Sequence, residues 1–142
     1  MTDEPPEPPT ADARRIPLTR IRGAIARAMA ASAAVPQFNL ESDVSIVALR
    51  AVREESGARA ASVSIVDYVV ASCAQALAEH PRLNASFDGD AIIEHIPINV
   101  GIAVSLDDGL IAPAICGADR IGLREIAAAR TRLVAAATAG TL

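Results

Sequence analysis

Two histidines, two cysteines and a short acidic turn are the residues of this 142-residue chain whose types invite chemistry. His80, in AEHPRLNAS, and His95, beside Glu94, are the only imidazoles able to carry a proton near neutral pH. The Glu94 carboxylate could pair with His95 and tune it, but a surface strand position is the plainer reading, and His80 reads as the end of a helix leading into a strand. Cys73 and Cys116 are each flanked by apolar residues and lack the close spacing of metal or redox pairs, so two reduced, buried thiols are expected. Asp107, Asp108 and Gly109 have the composition of a turn between strands far more than of a cation loop, and no metal is assigned to them.

These residues need elements to position them, and the periodicity supplies several. Thr19 can cap a helix through RIRGAIARAMAAS that places Ile21, Ile25, Ala28 and Met29 on one face, with Pro36 beyond its end. Phe38, Leu40 and the residues to Val44 partly alternate apolar with polar and predict a strand. Asp43 or Ser45 would cap the next helix, through IVALRAVREES, with Val44, Val47, Leu49 and Val52 toward neighbours and Arg50, Arg53 and Glu54 toward solvent or a ligand. Gly57 would stop it, and GARAAS would be a loop.

Ser64 opens the clearest helix, in which Ile65, Val66, Val69, Val70, Cys73 and Leu77 recur at helical spacing and Asp67, Gln75 and Glu79 do not join them. Pro81 ends it. ASFDGDAIIEH then predicts a hairpin turning at Asp88-Gly89, and NVGIAVS with GLIAPAI predicts two more strands around Asp107-Asp108-Gly109. A last helix carries Leu123, Ile126, Ala127, Leu133, Val134 and Ala137 in register, with Gly140 as its stop. The sum is an α/β domain with a helical layer on a mixed sheet.

Composition excludes some partners. A net charge of −4 and 2% aromatic residues offer neither a positive field nor a stacking surface for nucleic acid. No apolar run reaches membrane-spanning length, and the N-terminus is acidic and proline-rich where a secretory signal would be basic and then apolar. A cytoplasmic protein with no membrane partner is expected, with residues 1–13 as an extended, solvated linker.

Several blocks, taken together and in order, resemble the catalytic domain of the dihydrolipoamide acyltransferases of 2-oxoacid dehydrogenase complexes. They are RIPLTRIRGAIARAMAAS, Asp43, SVSIVDYVVASCAQALAEHPRLNAS, INVGIAV, DGLIAP and IGLREIAAARTRL, and the likeness covers residues 14–142. It implies a two-layer fold like chloramphenicol acetyltransferase, of which this chain would hold the N-terminal portion and lack the C-terminal half. It also implies trimers that build larger cages, and a reaction that moves an acyl group between the dihydrolipoyl arm of a partner domain and coenzyme A. Full-length acyltransferase subunits are the other implied partners, for a chain that docks without catalysing.

That reaction needs a base, because a thiol with a pKa of about 8.5 is mostly protonated at neutral pH and its thiolate is the nucleophile. In the family a histidine of a DHRxxxDG motif serves as base, and a serine or threonine stabilises the oxyanion. Neither DHRxxxDG nor a GGTFTxSNLG-like stretch occurs in this sequence, so no catalytic residue is assigned and the chain alone is expected to be inactive. For cofactor binding the resemblance implies three residues. Arg53 and Ser64 match positions that contact coenzyme A, a guanidinium suiting a phosphate and a hydroxyl a polar group; Ser64 can cap its helix as well. Ser105 occupies a cofactor-site position that is often aspartate in relatives.

Overall fold

Four helices and six short strands are formed in the computed structural model, which describes residues 13–56 and 62–142. The described residues fall into two units, one ending at Asn39 and one running from Leu40 to Leu142. The segments GARAA and 1–12, with their predicted loop and linker, lie outside the described residues.

In the first unit, helix α1 spans Arg20–Ser32 and starts as its sequence requires. The Thr19 hydroxyl accepts from the Arg22 backbone N–H at 3.3 Å, satisfying one of the donors that a helix start leaves open. At the other end the Gln37 side-chain amide donates to the Ser32 carbonyl and hydroxyl, at 3.2 and 3.0 Å, tying down the exit. No α1 residue is buried: Met29 is exposed, and Ile25 is only half-buried.

The predicted strand from Phe38 to Val44 does not form. Phe38 and Leu40 are exposed, and the segment has no ladder partner among the described residues. Alternation marks a strand only where a neighbouring edge exists to pair with.

Helix α2 covers Val47–Ser56, but its faces differ from the predicted ones. Ile46, Leu49 and Arg53 are half-buried, while Val44, Val47 and Val52 are exposed. The covered residues follow the i, i+3, i+7 spacing of one helical stripe, which Val47, Leu49 and Val52 do not.

The core lies between α3 (Ile65–Glu79), α4 (Leu123–Ala139) and a β ribbon, with Val70, Ala74, Ile98, Ile115, Ala118 and Ile126 buried together. The buried stripe of α3 is Asp67, Val70 and Ala74, with Leu77 half-buried below. Val66, Val69 and Cys73 are exposed, which corrects the predicted face by roughly one residue, or about 100° around the axis. Both cysteines are exposed, contrary to the expectation of buried thiols. Cys73 is carried off the stripe by this rotation, and Cys116 follows the buried Ile115 with its side chain outward.

After α3, His80 closes the helix by donating its N–H to the Ala76 carbonyl, and Pro81 starts a single 3-10 turn, Pro81–Leu83. The first hairpin pairs β1 (Ala85–Asp88) with β2 (Ala91–Glu94), so Gly89 and Asp90 form its two-residue loop. Gly89 at φ +66° supplies the positive φ that such a loop demands at its first position. Asn84 closes the base, its side chain donating to the carbonyls of His95 and Pro97.

The second ribbon is formed by β3 (Val100–Gly101), β4 (Val104–Leu106), β5 (Gly109–Ile111) and β6 (Ala114–Ile115). β3 pairs with β6 and β4 with β5 in one continuous antiparallel register around Asp107-Asp108, as the sequence predicts. The ladder is interrupted at Pro113, which has no N–H to give, although its carbonyl still accepts from Ile102 at 2.9 Å. All ladders among the described residues are two-stranded.

Helix α4 begins at Gly122, whose N–H is taken by the Glu125 carboxylate at 2.8 Å, and ends at Gly140 in the left-handed conformation, φ +67°. Its predicted inner residues hold: Ile126, Ala127 and Ala137 are buried, and Leu123, Leu133 and Val134 half-buried. No helix among the described residues is long and apolar enough to cross a membrane.

Candidate functional site

Ser64 stands immediately before α3, where four backbone N–H groups point out of the helix. It is half-buried and extended, with φ −99° and ψ 166°. Its own N–H and its hydroxyl both donate to Asp67 Oδ2, at 2.7 and 2.9 Å. The capping expected of Ser64 is therefore made largely by Asp67, which reaches back from the third position of the helix.

Asp67 is fully buried, and α4 supplies its counter-charge. Arg130 Nε donates to Oδ1 at 2.7 Å and Nη2 to Oδ2 at 3.2 Å, a side-on bidentate pair. The same Nη2 donates to the Ser62 carbonyl at 3.3 Å. Burial pushes the Asp67 carboxyl up, but the hydrogen bonds from Arg130 and Ser64, with the Arg130 charge, outweigh it and hold the group below the usual carboxylate range. The Asp67 hydrogen bond correspondingly raises Arg130. An ion pair with a fully buried carboxylate and a mostly covered guanidinium thus sits under the start of α3.

Arg53 lies on the half-buried stripe of α2, and its Nε is enclosed with no hydrogen-bond partner among the described residues. An enclosed guanidinium donor without an acceptor is costly, and an anionic oxygen would satisfy it. Ser105 is exposed on β4, opposite Leu110. No hydrogen bond joins Arg53, Ser64 and Ser105 to one another, and Ser64 alone of the three is built into a polar network.

The histidines are not assembled into catalytic groups. His80 is an exposed helix end. His95 is exposed, and its Nε2 lies 3.1 Å from the Ser86 hydroxyl across the first hairpin, so its side-chain partner is a serine and the Glu94 carboxylate instead lies 4.0 Å from Arg82. No three His, Cys, Asp or Glu side chains converge on a metal position among the described residues. An open groove of about 600 Å³ runs along α4 and β6, with Cys116, Ile121, Ala129 and Leu133 in its wall.

Comparison with known proteins decides the family. The profile of the 2-oxoacid dehydrogenases acyltransferase (catalytic domain) matches residues 10–142, nearly the whole chain. The chain belongs to this acyltransferase family. It is similar to the dihydrolipoyllysine-residue acetyltransferase component 5 of the chloroplastic pyruvate dehydrogenase complex of Arabidopsis thaliana, at 33% identity over 89% of this chain and 27% of that protein. It is similar also to the dihydrolipoyllysine-residue succinyltransferase component of the 2-oxoglutarate dehydrogenase complex of Haemophilus influenzae, at 31% identity over 80% of this chain and 29% of that protein. In three dimensions it resembles the cubic core of a pyruvate dehydrogenase multienzyme complex, with a TM-score of 0.87 at 29% identity, covering 98% of this chain and 62% of that one.

The acyltransferase fold expected from the sequence is thus the fold observed, and the chain spans less than a third of the curated relatives' length. Within the acyltransferase frame, the Asp67–Arg130 pair is the feature that sequence reasoning missed. Half of it was legible, since Ser64 followed three residues later by Asp67 is a helix-start signature.

Proposed function

We propose that this chain forms the coenzyme-facing part of an acyltransferase that moves an acyl group between a dihydrolipoyl arm and coenzyme A in a 2-oxoacid dehydrogenase complex. The observation that carries the reading is the family match over residues 10–142. In such a transfer the attacking thiol gives its proton to an imidazole, the thiolate adds to the thioester carbonyl, and the collapsing oxyanion expels the second thiolate, which takes the proton back. These 142 residues hold no DHRxxxDG or GGTFTxSNLG stretch, and no base or oxyanion donor is assigned among them.

The part assigned to this chain is binding. Arg53 would give its enclosed Nε to a phosphate of coenzyme A, Ser64 would meet a polar group of the coenzyme, and Ser105 would border the site from β4. A lipoyl-bearing domain is the second partner, in the cytoplasm, and the acyl group is left open because acetyl and succinyl transferases are both among the relatives. Calorimetric titration with coenzyme A tests the reading: saturable binding that weakens in Arg53→Ala is expected, and no binding by the folded chain overturns it.

The exposed apolar residues favour a second reading, a chain that assembles with full-length acyltransferase subunits or with its own copies in trimers. Ile21 and Met29 of α1 and Val66 and Val69 of α3 are exposed among the described residues. Co-purification with a complete acyltransferase, lost on deleting residues 14–31, is the expected result; a chain that never associates refutes it.

A further inference from the structure

A serine hydroxyl has one proton to give and two lone pairs to offer, and its surroundings decide which of them a ligand meets. At Ser64 that choice is already made. Asp67 is ionised and accepts only, so the proton in the 2.9 Å contact between the two side chains belongs to Ser64. Asp67 cannot swing away, because Oδ1 takes Arg130 Nε at 2.7 Å while Oδ2 takes Arg130 Nη2 and the Ser64 N–H. Arg130 is itself held by α4 and by the Ser62 carbonyl, so the residues leading into α3 are anchored on both sides of Ser64. What the half-buried Ser64 Oγ presents to anything beyond the protein is its lone pairs.

We infer that Asp67 and Arg130 are positioning residues that fix the Ser64 hydroxyl as an acceptor, so that the part of coenzyme A meeting Ser64 is an N–H or O–H donor and not a phosphate or carbonyl oxygen. The inference rests on the reading of Ser64 as a coenzyme contact. For Ser64 to donate to a phosphate, its proton would have to leave a buried carboxylate, and Oδ2 would lose one of its three donors. The two candidate residues then divide the coenzyme between them: Arg53, a donor without an acceptor, takes the anionic end, and Ser64, an acceptor with its proton spent, takes a neutral donor. Coenzyme A carries such donors in three places, the amides and hydroxyl of the pantetheine arm, the ribose 2′-hydroxyl and the adenine amino group.

Displacement of a fluorescent coenzyme A analogue from the full chain tests this, with pantetheine, adenosine and inorganic pyrophosphate as competitors. Ser64→Ala is expected to weaken pantetheine or adenosine about five- to tenfold, the loss of one hydrogen bond, and to leave pyrophosphate unchanged. The fragment that loses affinity identifies the half of the coenzyme that carries the donor. Ser64→Thr, which keeps the hydroxyl, restores most of the affinity. If Asp67 acts through Ser64, Asp67→Asn and Ser64→Ala together cost no more than the larger single loss; Arg130→Lys replaces Asp67→Asn in this cycle should the latter unfold, as read by circular dichroism. Losses confined to pyrophosphate, no loss with any competitor, or additive losses in the double variant overturn the inference while leaving coenzyme binding intact. A folded wild-type chain that does not bind the analogue removes the coenzyme reading itself, and this inference with it.

Discussion

Asp67 and Arg130 stand 63 residues apart in sequence, yet the carboxylate of one and the guanidinium of the other meet at 2.7 Å between α3 and α4. The pair ties the two helices that carry half of the buried core to the residues that enter α3. It is also the place where a single substitution leaves a full charge without its counter-charge.

Asp67→Ala should therefore destabilise the chain by about 3–5 kcal/mol, since Arg130 would keep its charge and lose its carboxylate. Replacing both residues by apolar ones of similar size should cost much less, because no orphaned charge remains. Urea denaturation of the single and double variants measures the difference.

Acid should act through the same group. Asp67 titrates below its ordinary value of about 3.9 in the folded chain, so the unfolded chain takes up the proton first as the pH falls. The stabilisation is complete at neutral pH, begins to fade near the unfolded value, and is gone once the pH has passed below the folded one. Asp67→Asn should flatten that part of the curve, which thermal melts between neutral pH and pH of about 3 would reveal.

Packing predicts a contrast along one helix. Ala74 is fully buried, so Ala74→Leu should overpack the core at a cost of about 1–3 kcal/mol. Val69→Ala, on the exposed face of the same helix, should change stability by no more than about 0.5 kcal/mol. Across the core, Ile126→Ala should cost about 2–5 kcal/mol. Equal effects at positions 69 and 74 would mean that α3 is rotated from the orientation described.

Gly140 ends α4 at φ +67°, donating its N–H to the carbonyls of Ala136 and Ala137. A Cβ there meets nothing within 4 Å, so Gly140→Ala should cost only the conformational penalty of about 1 kcal/mol. A small drop in Tm with unchanged helical content is the expected readout.

Both thiols of the isolated chain should react with a disulfide reagent without denaturant, because Cys73 and Cys116 are exposed. Acetyl transfer from acetyl-CoA to dihydrolipoamide should be absent from the same sample. Turnover that disappears in His80→Ala or His95→Ala would show that one of these exposed histidines acts as the base after all.

The local features are legible in the letters alone: Thr19 and Ser64 as helix starts, Pro81 and Gly140 as stops, the hairpin around Gly89 and the ribbon around Asp107-Asp108. Each depends on the backbone preferences and hydrogen bonds of residues a few positions apart, which are written in neighbouring letters. The ordered blocks also determined the family, because six local signals in one sequence order constrain a fold more than any one does. Which side of each helix faces inward, and which groups meet from a distance, is set by long-range packing. Val66, Val69 and Cys73 are as apolar as a core stripe, but α4 packs one turn-face over, on Val70, Ala74 and the charged Asp67. Phe38 and Leu40 alternate like a strand, but a strand exists only where another edge can pair with it. Asp67 reads as a surface acid until Arg130 arrives from α4, because the sequence records a charge and not the distance to its partner.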